Sequence, residues 1–381
     1  MKITLIGPAY PLRGGNALFI AHLYEALSAH HTVDVVSFSR LYPSILFPGV
    51  RQNDISSSPL KKHPARPLLD SVNPLTWFSA AKDVLSNRPD VVIFTWWNPF
   101  FGPLVRTVAS MIKSAGIPVI IVAENVISHE GRAVDLVLTK LALNTADAFL
   151  VLSKVVEETV KKLYPNVPLF RSSLPVYDCY QSGDVVPQSA AQERLGLAGK
   201  NVILFFGYIR EYKGLMNLIE AFPQVKKEIP NAHLLIVGEF YKDPKEYYDA
   251  IERLKMKDDV TIVAEYVANE EVHKYFTASN VVVLPYNEAT QSGIMSISQS
   301  FGVPAIVTNV GGLGELLEDG KTGFIVEPRN VGVLAASIIR YFTEGREKDF
   351  SAEVIRRSKA NSFNTITEVF NSIFTALKLK N

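Results

Sequence analysis

The chain has one cysteine, Cys179, among its 381 residues. That excludes an internal disulfide framework and fits a reducing cytoplasm. Nothing near Cys179 in sequence would activate its thiol, so it reads as a passive, partly buried side chain. No apolar run reaches the roughly 18 residues of a membrane-spanning helix. A signal peptide is not expected, because residues 1–6 already read as a strand with Lys2 as the only early charge. No DxD, CxxC or HExxH occurs, so metal-ligand spacing gives a metal-dependent mechanism no support. There is no low-complexity segment and no short-period repeat. The GxGxxG fingerprint is also missing, which leaves a nicotinamide-dinucleotide reading weak. A formal net charge of +1 makes no case for nucleic acid.

What is present is length and apolar content. A chain of this size fits two ordinary domains, and 48% hydrophobic with 20% charged residues is globular composition. Charge is unevenly spread. Residues 1–180 hold 17 Lys and Arg against 13 Asp and Glu, or +4, and the remainder 22 against 25, or −3. A basic front half suits an anionic surface or acceptor; scatter would produce the same difference. Strands at 2–7, 32–38, 91–94, 118–123 and 148–152 alternate with helices at 17–27, 105–115, 132–144 and 154–163, with Ser153 as N-cap of the last. A second series runs from 202 to 341. Strand–helix alternation means parallel sheets wrapped by helices. The proline-rich span 40–78, with its KKHPAR run, is expected to be an acceptor or surface loop. Residues 179–200 are expected to be a linker, and 352–379 one amphipathic helix.

The organising stretch is LPYNEATQSGIMSISQSFGVPAIVTNVGG, from Leu284 to Gly312. A strand, a polar turn, a short helix and a second strand follow one another. The free first-turn amides of 291–294 suit an anion. Glu288 beside that anion suits a neutral polyol, so the turn suggests a sugar-nucleotide. An ordinary βαβ unit with a polar loop would look the same. Three other loops carry chemistry-bearing residues. GPAYPLRGGNALF joins a strand to a helix through Gly14 and Gly15, which allow close backbone approach. FFGYIREYKG places Arg210 and Lys213 after Gly207, where two cations could clamp a diphosphate or could simply be solvated. AENVISHEGRAVD carries Glu124, Asn125, His129 and Glu130, and His129 could act as a general base, bind a sugar, or be a surface histidine.

Taken in order, PLRGG, SFSRLYPSILFPG, TWWNPFFGP, ENVISHEGRAVD, ADAFLVLS, FFGYIREYKG, LLIVG, VVVLPYNEATQSG and NVGGLGELLEDGKTGFIV resemble a family-four retaining glycosyltransferase over essentially the whole chain. The resemblance implies the α/β GT-B fold, two Rossmann-like doubly wound domains facing across a cleft. Residues 1–180 would form the acceptor-side domain, 181–200 the linker, 201–354 the nucleotide-sugar domain, and 355–381 a helix crossing back. It implies a UDP- or GDP-linked sugar donor, a glycan or lipid-linked acceptor, no cofactor and no metal. The setting would be cytoplasmic, with peripheral contact to an anionic membrane. Gly14, Gly15 and Asn16 would contact the donor phosphates, with Gly207, Thr290, Gln291, Ser292 and Gly293. Arg210 and Lys213 would be the diphosphate clamp, Glu288 the sugar contact, and Glu265 and Tyr266 would flank the base. His129, Glu124, Asn125 and Glu130 would serve catalysis and the acceptor.

Three departures from the family pattern stand out. The second of two glutamates that the family commonly carries falls at Ile297, leaving ribose to another residue such as Glu315. Glu124 stands where many relatives have histidine. Arg210 lies three places after Gly207 rather than directly after it, a form that a subset of the family shares. A sugar-nucleotide 2-epimerase of the same fold, or a donor-binding protein without transfer, are the alternatives.

Overall fold

The computed structural model describes residues 1–43, 47, 51–57, 63–126, 133–181 and 186–379. The chain divides into two compact units. The first comprises Met1–Ile55, Lys61–Pro175 and Ser362–Asn381; the second comprises Ser56–Leu60 and Val176–Asn361.

The first unit is built on a parallel seven-stranded sheet. Its strands are β1 (Lys2–Ile6), β2 (Thr32–Arg40), β3 (Arg66–Asp70), β4 (Val91–Trp96), β5 (Val119–Ala123), β6 (Ala148–Val151) and β7 (Leu169–Arg171). They lie in the order β3-β2-β1-β4-β5-β6-β7. The helices are α1 (Gly15–Ser28), α2 (Pro74–Ser86), α3 (Gly102–Ser114), α4 (Ala133–Leu143), α5 (Lys154–Leu163) and the C-terminal α13 (Phe363–Ala376). Every residue of VVIFTW in β4 and VIIVA in β5 is buried, as expected where helices cover both faces of a parallel sheet. Register is direct: Ile3 pairs with Val33 on one side and Val91 on the other. Ser153 does cap α5, its Oγ accepting from the Val156 amide at 3.5 Å. Phe363 of α13 stacks on His22 of α1 at 4.5 Å between ring centroids, with Phe370 and Phe374 fully buried behind it.

The second unit carries a parallel six-stranded sheet in the order β10-β9-β8-β11-β12-β13. The strands are β8 (Asn201–Phe206), β9 (Ala232–Val237), β10 (Val260–Val263), β11 (Val281–Leu284), β12 (Ala305–Thr308) and β13 (Gly323–Val326). Its helices are α6 (Gln188–Arg194), α7 (Leu215–Glu228), α8 (Lys245–Arg253), α9 (Asn269–Ala278), α10 (Gly293–Ser300), α11 (Val331–Thr343) and α12 (Glu347–Ser358).

The structure corrects three sequence expectations. The span 40–78 is not all loop, because it contains β3 and the start of α2. Pro67 sits in the edge strand β3, where a missing amide breaks no ladder, and Pro74 is the first residue of α2, where the amide has no intrahelical partner. Within KKHPAR, Lys61 and Lys62 lie outside the described residues, and Arg66 pairs with Asp34 and Asp83. The expected linker 181–200 contains α6, whose buried Gln192 donates from Nε2 to Ala278 O of α9 at 3.0 Å. The expected single helix over 352–379 is two helices. α12 belongs to the second unit and α13 to the first, so the segment assigned back to the first unit starts at Ser362 rather than at 355.

Candidate functional site

In an open parallel sheet, strand order reverses at one point, and the loops leaving the carboxyl ends there diverge and open a crevice. In the second unit that point lies between β8 and β11. The loops that follow these two strands are 207–214 and 285–292, the same two that the sequence marks. They are tied together. The Asn287 amide donates to Tyr212 O at 2.6 Å, and Asn217 Nδ2 donates to Asn287 Oδ1 at 3.0 Å. Gly214, at φ +67°, lies so close that a Cβ there would stand 2.0 Å from Pro285 O. The loop after β12 joins them through the Gly312 amide, which donates to Thr290 O at 2.9 Å.

Lys213 and Arg210 come together on this edge. Lys213 Nζ lies beside Gly207, 3.4 Å from where a Cβ would be, and Gly207 itself is at φ +102°. Its Nζ stands over the Tyr286 ring, 5.5 Å from the centroid. Arg210 Cζ lies 4.3 Å from the Tyr241 centroid and 5.6 Å from that of Tyr212. Among the described residues neither cation is in an ion pair, and the buried Nε of Arg210 has no hydrogen-bond partner. Burial, and secondarily the Arg210 charge, lowers the Lys213 amine to about 8.

The next element is the N-terminus of α10. Ser292 is its N-cap residue, buried, with Oγ 3.4 Å from Tyr286 Oη and no bond to the helix amides. The amides of Gly293 and Ile294 start the helix and have no acceptor within it. The buried Gln291 Oε1 has no partner among the described residues. Gly207, Arg210, Lys213, Thr290, Gln291, Ser292 and Gly293 therefore belong to one loop cluster, as expected. Glu288 lies on the same loop, half-exposed, with Arg329 Nη2 at 3.8 Å. Both groups of that pair are well solvated, so it holds Glu288 weakly. Ile297 is buried within α10. Glu265, exposed, and Tyr266, partly buried, follow the outer strand β10, two strands from β8. Tyr241, Tyr286, Asn217, Asn287 and Arg329 were not foreseen as neighbours of the site. Of these, Tyr286, Asn287 and Asn217 lay within marked stretches, the last in FFGYIREYKGLMNLIEAF.

The switch point of the first unit lies between β1 and β4. Gly14, at φ +107°, and Gly15 open α1, and a Cβ on either would meet nothing within 4 Å. With its amide oriented to satisfy both ends, Asn16 donates from Nδ2 to Glu124 Oε2 at 3.1 Å and accepts from Trp97 Nε1 at 3.2 Å. Glu124 follows β5. Its Oε1 is buried without a partner among the described residues, as is Asn125 Oδ1, and burial pushes the Glu124 carboxyl up to about 8. His129 and Glu130 lie outside the described residues. Among the described residues, no group of His, Cys, Asp and Glu is placed to hold a metal. Nor is any helix there long and apolar enough to cross a membrane.

Residues 188–359 match the family model described as glycosyl transferases group 1. Spore coat protein SA of Bacillus subtilis is 25% identical over 179 residues, 45% of this chain and 47% of that protein. The alpha-D-kanosaminyltransferase of Streptomyces kanamyceticus is 23% identical over 215 residues, 56% of this chain and 55% of that enzyme. The chain thus spans about half the length of the curated relatives it matches. Anabaena HepE, solved in complex with UDP, superposes with a TM-score of 0.77 at 16% identity, covering 99% of this chain and 100% of that one. The same protein solved with UDP-glucose also gives 0.77, at 15% identity, covering 98% and 99%. The fold is GT-B, with two Rossmann-like parallel-sheet domains.

The Glu124 carboxyl sets a pH dependence. Above 4.5 the unfolded chain releases this proton while the folded chain keeps it, so stability falls as pH rises from 4.5 to about 8 and stays reduced above that. Glu124→Gln removes the ionisation. Urea unfolding across this pH range should show the variant gaining stability relative to wild type as pH rises. A difference constant with pH would mean that Glu124 ionises normally in the fold.

Proposed function

We propose that this chain, whose residues 188–359 match the glycosyl transferases group 1 family model, is a retaining, metal-independent glycosyltransferase. It would move a sugar from a UDP- or GDP-linked donor to a hydroxyl of a glycan or lipid-linked acceptor. One observation carries the reading: Lys213 and Arg210 sit together at the β8–β11 switch point, largely covered and without a carboxylate partner among the described residues. Two uncompensated cations in one place are unfavourable unless an anion joins them. The adjacent α10 amides suit the same anion. A diphosphate meets both needs.

The chemistry follows from that assignment. The bond between the anomeric carbon and the β-phosphate oxygen breaks, and Arg210, Lys213 and the amides of 292–294 stabilise the charge that develops on the departing diphosphate. The acceptor oxygen bonds to the anomeric carbon from the same face, and its proton passes to the departing phosphate. Glu288 accepts hydrogen bonds from the donor sugar, a role that suits a half-exposed carboxylate on this loop. In the first unit, Glu124 and Asn125 are assigned to the acceptor side. The first unit would also rest on an anionic lipid surface through α4, where Val134, Val137 and Leu141 are 54%, 64% and 38% exposed on one side of the helix.

Lys213→Ala and Arg210→Ala should each lower turnover more than tenfold with folding intact, since a lost charge-assisted contact costs about 1.5–3 kcal/mol. Affinity for a nucleoside diphosphate should weaken as pH rises through about 8, because only the ammonium form of Lys213 attracts it, and Lys213→Arg should remove that dependence. In the same panel, Glu288→Gln should lose turnover while nucleoside diphosphate affinity changes little. Normal rates in both clamp variants would sink the assignment.

Metal independence predicts that EDTA leaves turnover unchanged. Loss of activity with rescue by manganese or magnesium would refute it.

For the membrane contact, the protein should co-sediment with vesicles containing anionic lipid, and Val137→Asp should weaken this several-fold without altering turnover on a soluble acceptor. Equal sedimentation of both proteins, or none of either, would count against it.

A further inference from the structure

The two cations of the clamp must be held in place by something. The usual holder of a buried lysine or arginine is a carboxylate, but a carboxylate cancels the charge that an incoming anion would use. The structure uses aromatic faces instead. Arg210 Cζ stands 4.3 Å from the centre of the Tyr241 ring, and Lys213 Nζ stands 5.5 Å from that of Tyr286. A ring quadrupole attracts a cation yet carries no net charge, so the field at the anion site is not neutralised.

Hydrogen bonds to the backbone hold the segments that carry both rings. Beyond the ends of β8 and β9 the two strands continue as a bridge between Ile209 and Phe240. The Ile209 amide donates to Glu239 O at 2.9 Å, and the Tyr241 amide donates to Ile209 O at 3.0 Å. Tyr241 and Arg210 are therefore brought side by side by strand register. Tyr286 is 2% exposed, and its carbonyl accepts from Thr308 Oγ1 of β12 at 2.5 Å. Its hydroxyl meets Ser292 Oγ at 3.4 Å, so one side chain touches both the lysine and the N-cap of α10.

We propose that Tyr241 and Tyr286 are positioning residues, whose ring faces seat Arg210 and Lys213 for a diphosphate while leaving both charges available to it. The proposal rests on the diphosphate reading of this site. It makes the Tyr241 ring a determinant of anion affinity through Arg210, independent of any bond its hydroxyl could donate.

The test is a double-mutant cycle on the full chain, read by calorimetric affinity for whichever of UDP, GDP and ADP binds tightest. Tyr241→Phe keeps the ring and should keep affinity within about twofold. Tyr241→Leu should weaken it about three- to tenfold. Tyr241→Glu should be weaker still, because it holds Arg210 but cancels its charge. In an Arg210→Ala background, Tyr241→Leu should add almost nothing. Tyr286 is buried, so Tyr286→Phe is the informative change there. It should leave the pH dependence due to Lys213 intact, and Tyr286→Leu, if melting shows it folded, should weaken affinity only while Lys213 is present. Equal losses from Tyr241→Leu with and without Arg210 would mean a merely structural ring and would overturn the proposal, as would Tyr241→Glu binding as well as Tyr241→Phe. If Arg210→Ala itself leaves affinity unchanged, the diphosphate reading fails first and the seats fail with it.

Discussion

The second unit is organised around an electrostatic debt, two cations placed on one sheet edge, neither of them in an ion pair among the described residues. Arg210 and Lys213 repel each other, and burial further disfavours the charged lysine. A loop of ordinary flexibility would relieve this by letting one side chain swing into water. Here the backbones of the two loops are tied together. Gly214 is pressed against Pro285 O, Lys213 Nζ lies beside Gly207, and Asn287 joins one loop to the other. The site is preorganised at the expense of the unliganded state, as expected where strain and charge serve function.

The first unit shows the reverse sign on the same architectural plan. Its crevice edge holds an acid, Glu124, with one oxygen on Asn16 and the other buried and unpartnered among the described residues. Here the group answers burial by keeping its proton, so the uncharged carboxyl can donate as well as accept. Lysine cannot adapt as readily, because a shift to about 8 still leaves it mostly charged at neutral pH. An anion is therefore favoured at the β8–β11 edge, and neutral hydroxyl groups at the loop after β5.

Much of this was legible in the sequence, for a physical reason. Strands buried on both faces are mostly apolar runs: β5 and β11 are wholly so, and β1, β4, β8, β9 and β12 have only one or two polar residues each. Glycine and proline mark the turns at their ends, which is why the loops at 207–214 and 285–292 stood out. What escaped were elements whose local pattern conflicts with their role. β3 carries a proline, α6 is polar apart from its alanines, and the break between α12 and α13 passes through Ser and Asn that could equally lie on a helix surface. The neighbours of the clamp escaped differently. Tyr241 reaches Arg210 because β8 and β9 are paired one past the other, and Arg329 reaches Glu288 because β13 ends near β11's loop only through β12. Register and strand order place these side chains, and neither is written in local composition.

The residue at 297 shows how packing settles a question that pattern leaves open. A carboxylate there would be the second of the paired glutamates common in the family, but Ile297 is 6% exposed and lies between Ser296 and Ser298, which are fully buried. Ser298 Oγ donates to Val303 O at 2.8 Å, so this turn of α10 is closed against the loop that leads into β12. A charge placed there would be buried and would need a partner to offset its desolvation. An apolar side chain at 297 is therefore what the packing of this turn favours. Glu315, the alternative that the sequence offers for ribose, lies in the loop after β12, exposed in a short 3-10 turn (Leu313–Leu316).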